Sequence, residues 1–246
     1  MVEYRIARDV EPSGRIHFKL PDTLSVPNMA NKPAKKAPRV RRTNAERSAT
    51  TRTKLIEAAI ETLYRSGYSA TTTIEVAKRA RVSRGAMLHQ FPARVDLLLA
   101  VAQHIIDANA RYRREQLGAE SGLKRFYAAA DINWAVHSQP SAIALLEILM
   151  ATRSDKDLRK GFENFRKVWI EARGNAATRM AADLGVGNVD EIETLITLHQ
   201  ASMRGLAIEL MFVRESEGID KARRLLADYD RLFAEKLVAA AKTTTV

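Results

Sequence analysis

Arg84, Ala86 and His89 lie in one short run, SRGAMLHQFPAR, residues 83–94, and are the side chains of this chain best suited to reading nucleic-acid bases. A guanidinium donates two bonds to guanine O6 and N7, a methyl group packs against the thymine methyl, and an imidazole reaches a base or a phosphate. A bidentate Arg–guanine pair contributes about 1–3 kcal/mol of discrimination. Around these three lie groups suited to phosphate oxygens: Thr73, Ser83, Gln90 and Arg94, with Arg47 and Arg52 further upstream. Gly85 weakens a helix, but its missing side chain lets a backbone approach closely.

The elements that must position them can be read from spacing. Thr72 and Glu75 read as a capping box that starts a short helix, with Ile74, Val76, Ala77 and Ala80 as its apolar stripe and an end near Arg81. Ser83 caps a second helix, Val82, Met87 and Phe91 face inward, and Pro92 closes the segment. Two short helices with such a turn are the plan of a helix-turn-helix, whose second helix enters the DNA major groove. A packed hairpin on a helical bundle has the same spacings. Upstream, Thr43 and Glu46 form another capping box, and Leu55, Ile56, Ala59, Ile60 and Leu63 recur at helical spacing until Gly67. Arg47, Arg52 and Lys54 lie near the start of that helix, within reach of phosphates.

Charge supports a polyanion partner. The formal net charge is +11, and it is unevenly spread: residues 29–94 hold 15 basic and 4 acidic residues, whereas residues 95–246 hold 21 of each. A merely solvated surface would not concentrate the whole excess in one segment. Lys32, Lys35, Lys36, Arg39, Arg41 and Arg42 share with Pro33 and Pro38 a run that reads as a solvated arm able to release counterions from DNA. Residues 1–28, with Pro12, Gly14, Pro21 and Pro27, show no sustained periodicity and are expected to be disordered; Met29 reads as a natural start. The expected organisation is an extension and basic arm over 1–43, a DNA-binding domain over 44–94 and a larger helical domain over 95–246.

With 46% hydrophobic residues the chain can bury a core, and with no cysteine it has neither disulfides nor thiolate metal sites. No apolar run reaches membrane-spanning length and no hydrophobic signal region opens the chain, so a cytoplasmic protein without membrane contact is expected. Nucleophile-elbow, phosphate-loop, dinucleotide-glycine and zinc HExxH motifs are absent, and no cofactor or metal is expected. Scattered His and Asp residues leave a helical enzyme as one alternative. An architectural protein that uses the basic arm without reading bases is the other.

After Pro92 a long amphipathic helix follows, and further helices are expected near 120–138, 140–152, 155–184, 189–215 and 219–241. The helix at 189–215 carries two apolar stripes, where a surface helix needs one. One is Ile192, Leu195, His199, Met203, Leu206 and Leu210; the other is Leu198, Ala201, Gly205, Ile208 and Phe212. With Leu226, Tyr229 and Phe233 of the next helix, the second stripe suits a four-helix interface between two copies.

The stretch TTTIEVAKRARVSRGAMLHQFPARVDLL resembles the DNA-binding segment of the tetracycline-repressor (TetR) family of bacterial transcription regulators, through Thr73, Val76, Ala77, Ala80, Val82, Ser83, Gly85, Phe91, Leu97 and Leu98. Three positions depart from the family habit: Arg81 replaces a turn Gly, Leu88 a Tyr, and Arg94 a Lys. The resemblance implies an all-α fold, a three-helix DNA-binding unit joined to a larger regulatory and dimerisation domain. It implies a homodimer, more a repressor than an activator, that binds a double-stranded DNA operator with inverted-repeat symmetry and is released by a small-molecule effector. Polar or aromatic residues within otherwise apolar helices are then the pocket candidates: Trp134, His137, Trp169, Arg173, His199 and Met203, with His104 one turn before Asp107.

Overall fold

Thr43 opens the first helix as its spacing to Glu46 predicts. The Glu46 N–H donates to the Thr43 hydroxyl at 3.2 Å and the Thr43 N–H to the Glu46 carboxylate at 2.8 Å, so two orphan donors are satisfied. The computed structural model describes residues 8–10, 16–18, 43–213 and 216–244. Within them, β1 (Arg8–Val10) pairs antiparallel with β2 (Ile16–Phe18), Asp9 opposite His17. The rest of residues 1–28 lies outside the described residues. The basic arm, from Lys32 to Arg42, and Met29 lie outside the described residues.

From Thr43 onward the described residues are helical: α1 (Asn44–Ala70), α2 (Thr73–Ala80), α3 (Arg84–Gln90), α4 (Arg94–Leu117), α5 (Gly122–His137), α6 (Pro140–Ala151), α7 (Lys156–Leu184), α8 (Val189–Phe212) and α9 (Glu217–Thr244). Gly67 breaks α1 as expected, at φ 76°, though one more turn follows it. In α2 only half of the predicted capping box forms. Glu75 N–H donates to the Thr72 hydroxyl at 3.1 Å, but the Thr72 N–H is already given to the Ala70 carbonyl at 2.9 Å. The Glu75 carboxylate lies 3.8 Å from Arg79 instead. Ile74, predicted inward, is 66% exposed, because Val76 and Ala77 occupy the buried side of this two-turn helix.

Leu55 and Leu63 of α1, Val76 of α2, Met87 of α3, Leu97, Leu98 and Val101 of α4, Ile148 of α6 and Leu158 of α7 form one continuous core. Each fully buried leucine contributes about 1.5–3 kcal/mol. The first three helices therefore do not close over a core of their own; α1 packs on α6 more extensively than on any other helix, and Thr43–Val246 forms one compact unit. A second cluster, with Ala177, Ala181, Leu184, Ile192 and Leu237, joins α7, α8 and α9. No helix among the described residues is long and apolar enough to cross a membrane.

The same helix-ending motif occurs twice with different residues at its left-handed position. At the end of α7, Gly185 (φ 66°, ψ 29°) donates to the Ala182 carbonyl and Val186 to the Ala181 carbonyl. At the end of α2, Arg81 (φ 54°, ψ 43°) donates to Lys78 and Val82 to Ala77. Both are Schellman closures, in which glycine avoids a Cβ clash that arginine does not. Arg81 is the one non-glycine residue at positive φ among the described residues. Arg81→Gly is expected to raise the free energy of unfolding by about 1 kcal/mol, and Gly185→Ala to lower it by a similar amount, both read from urea midpoints. An unchanged midpoint for Arg81→Gly would show that the turn stores no strain.

Candidate functional site

Ser83 fixes the start of α3 by accepting the Ala86 N–H at 3.2 Å, while Met87 and Phe91, each 1% exposed, anchor its inner side. Arg84, Gly85, Leu88 and His89 consequently face solvent, and Ala86 sits half-buried beside them. The three base-contact candidates thus share one short helix. Among the described residues no carboxylate lies within ion-pair distance of Arg84. Leu88, 42% exposed, occupies this surface too; only the family's Tyr at that position hinted from sequence that it would. A Cβ on Gly85 would meet nothing within 4 Å, so any need for glycine there does not come from this chain's own packing.

The phosphate candidates divide. Ser83 and Arg47 are exposed and Thr73, the first residue of α2, is half-buried. Arg52 lies with its guanidinium 4.4 Å from the centre of the Phe91 ring, and its Nη1 donates to the Gln90 carbonyl at 3.5 Å. Gln90 and Arg94, in contrast, are both bonded inward. Gln90 Nε2 donates to Ser48 Oγ at 2.7 Å, tying α3 to α1. Arg94 donates through Nε to the Thr71 carbonyl at 2.8 Å and through Nη2 to the Tyr68 carbonyl, with its guanidinium 4.0 Å from the Tyr68 ring centre. The link between α1 and α2 presents the Thr71 carbonyl and the Tyr68 carbonyl, which also accepts the Thr71 N–H at 3.0 Å, and the fork of an arginine donates to both at once.

Tyr68 continues this junction. Its N–H donates to Glu147 Oε2 of α6 at 2.9 Å and its hydroxyl to Asp155 Oδ2 at 2.5 Å. Asp155 Oδ1 in turn accepts the Leu158 N–H at 2.9 Å and caps α7. Burial, then the bond to Asp155, pushes the Tyr68 hydroxyl up to about 12. The Leu158 N–H and then the Tyr68 hydroxyl hold the Asp155 carboxyl below its ordinary range.

Among the described residues, cavities open in the helical part, and two of them take in predicted pocket residues. The larger, about 320 Å³, is lined by residues of α5, α7, α8 and α9, including His199, Asp230 and Arg231. The smaller, about 110 Å³, lies among α4 to α8 and is lined by Arg113, His137, Trp169 and Arg204 among others. Of the predicted pocket residues, His199 reaches the first and His137 and Trp169 the second. The other four line neither. Trp134 has Arg223 above its ring at 5.5 Å, Arg173 faces Glu193 at 3.4 Å, and Met203 is fully buried in the core. His104 stays half-buried on α4, while its supposed partner Asp107 accepts from Gln103 at 2.8 Å. No cluster of three potential metal ligands occurs among the described residues. Arg113, Arg204 and Asp230 were not anticipated; their only signal in the sequence is a charge set within an apolar helix. His199 Nδ1 lies 2.5 Å from Asp230 Oδ2.

The two stripes of α8 separate. Ile192, Leu195, His199, Met203 and Leu210 are buried, whereas Leu198 is 58% and Phe212 76% exposed. Ala201 and Gly205 are exposed and Ile208 half-buried on the second side. On α9, Tyr229 and Phe233 are exposed and Leu226 is half-buried; Leu225 and Leu232 extend the same apolar surface.

Comparison with known proteins agrees with this geometry. The family described as "Bacterial regulatory proteins, tetR family" matches residues 55–101. The HTH-type transcriptional regulator CymR of Pseudomonas putida is 29% identical over 189 residues, spanning 74% of this chain and 90% of that protein. A solved putative TetR-family regulator from Rhodococcus sp. superposes with a TM-score of 0.61 at 18% identity, over 75% of this chain and 99% of that one. A putative transcriptional regulator from Saccharomonospora viridis, solved in complex with choline, superposes with a TM-score of 0.58 at 16% identity, over 74% and 95% of the two chains.

His137 gives the helical part a pH signature. Burial first, then the charges of Arg113, Arg204 and His199, lower its imidazole from 6.5 to about 4. Between those values the unfolded chain binds a proton that the folded chain refuses, so stability is complete above pH 6.5 and falls on acidification towards pH 4. The loss attributable to this group is at most about 3 kcal/mol. Urea titrations at pH 6.5 and 5 should show a smaller drop for His137→Gln than for wild type; equal drops would remove His137 as the cause.

Proposed function

We propose that this chain, which belongs to the tetR family of bacterial regulatory proteins, is a repressor that binds an inverted-repeat operator as a homodimer and is released by a small-molecule effector. Membership makes it a DNA-binding transcription regulator and not an enzyme. The observation that carries the operator reading is the outward surface of α3, with Arg84, Ala86 and His89 on one short helix whose inner side is anchored by Met87 and Phe91. Arg84 reads guanine, His89 a base or a phosphate, and the methyl of Ala86 a thymine. Leu88 adds apolar surface suited to a second thymine methyl. Ser83, Thr73 and Arg47 contact phosphates, and the basic arm adds counterion release.

The dimer reading rests on the exposed stripe of α8 and its continuation on α9. A Cβ on Gly205 would meet nothing within 4 Å, so a partner helix can approach closely there. Two copies related by a two-fold axis would set their α3 helices about 34–36 Å apart, or a multiple, and read a palindrome. The effector binds in the helical part and disfavours the DNA-bound arrangement, with about 1–3 kcal/mol of coupling. Such a regulator works in the cytoplasm.

Purified protein should select one inverted repeat in the DNA flanking its own gene over scrambled competitor. Arg84→Ala should lose that preference by about 1–3 kcal/mol while keeping its salt dependence. Binding that depends on salt but is equal for every sequence would favour an architectural role. Leu198→Glu should convert a dimer into a folded monomer in sedimentation, with helical circular dichroism unchanged; a dimer that persists would place the interface elsewhere.

A further inference from the structure

We infer that the smaller cavity is an anion site, built to hold a small carboxylate with an apolar body between Arg113 of α4 and Arg204 of α8. The residues lining it include these two arginines, His137, Asn109 and Gln200, and not one Asp or Glu. Among the described residues no carboxylate lies within ion-pair distance of either guanidinium. Arg113 donates through Nε to Asn133 Oδ1 at 3.1 Å, a neutral acceptor. Both arginines are held below their ordinary range by burial, and His137, kept neutral, has a buried Nε2 without a partner. Two cations lining a partly buried space without a counter-charge are costly. A guest carboxylate removes that cost and accepts the paired N–H groups of an arginine fork.

The rest of the wall fixes the remainder of the guest. Ile143, Leu146, Leu149 and Trp169 line the same space of about 110 Å³, which a strongly hydrated inorganic anion would leave unsatisfied and a short hydrocarbon or ring would fill. The larger cavity lacks this bias, since Asp131 and Asp230 stand there beside Arg231. Carboxylate binding stands on this charge count alone; only its consequence for DNA rests on the effector reading above.

The test is calorimetry on the full-length protein without DNA, using hexanoate and benzoate beside their neutral amides and the cationic hexylamine and benzylamine. Either carboxylate should bind at least about tenfold more tightly than its amide, the amines should not bind, and Arg204→Met should lose that preference. Arg113→Met serves the same purpose if it folds, and thermal stabilisation of wild type by the carboxylates reads the site without any variant. Amides that match the acids, carboxylate preference that survives in Arg204→Met, or no carboxylate binding would each overturn the assignment. Carboxylates that bind but leave operator affinity unchanged would support the site and remove only its role as the effector pocket.

Discussion

Arg94 sits with its guanidinium 4.0 Å from the centre of the Tyr68 ring while donating to the carbonyls of Tyr68 and Thr71, and Tyr68 passes its own hydroxyl to Asp155. Three helices are fixed by this group of three side chains, α1 through Tyr68, α4 through Arg94 at its first turn and α7 through its Asp155 cap, and a fourth, α6, joins through Glu147, which accepts the Tyr68 N–H. Charge-assisted hydrogen bonds of this kind contribute about 1.5–3 kcal/mol each. The bonds also span a long stretch of chain, from residue 68 to residue 155, so they set orientation as well as stability. Because Leu55, Leu63, Leu98 and Ile148 share the core beside them, the helix-turn-helix is welded to the larger helical part rather than hung from it.

That weld bears on the proposed effector response. Arg113 on α4, Ile143 and Leu146 on α6, and Trp169 on α7 wall the smaller cavity, and those three helices are the ones that meet around Tyr68. Close-packed interiors transmit displacement because they have little free volume to absorb it. A guest that altered the spacing of α4, α6 and α7 would therefore load the Arg94–Tyr68–Asp155 group before it reached α3. The element with two arrangements that regulation requires is best sought in that group, where several polar bonds converge and few alternatives exist for any of them.

Much of this fold is legible in the sequence because its signals are local. Thr43 with Glu46, Gly67 and Gly185 each declare a helix boundary through one residue's chemistry, and the two stripes of α8 follow from spacing alone. The site is less legible, because a formal charge does not say which acceptor will claim it. Position next to α3 suggests Arg94 and Gln90 as phosphate ligands, but protein acceptors, the loop carbonyls and Ser48, already hold their donors. Ile74 went wrong for a related reason: on a helix as short as α2, two buried residues suffice and a third apolar group falls outward. Arg113 and Arg204 were passed over because a charge in an amphipathic helix is ordinarily assigned to the solvent side.

The places where local rules fail are informative in their own right. Natural sequences keep such conflicts mainly where function requires them, and here they gather at two positions. Arg81 in a left-handed turn and exposed Ile74 and Leu88 all fall within α2, α3 and the turn between them. Arg113, Arg204 and the unpartnered His137 Nε2 surround the smaller cavity. The second conflict cannot be settled by the overall charge of residues 95–246, which is balanced at 21 basic and 21 acidic residues. Exposed carboxylates are screened by water and salt within about 8 Å, whereas a half-buried guanidinium responds more strongly to whatever shares its cavity. Balance across the domain and imbalance within the cavity therefore coexist, and only a counter-charge inside the cavity removes the latter.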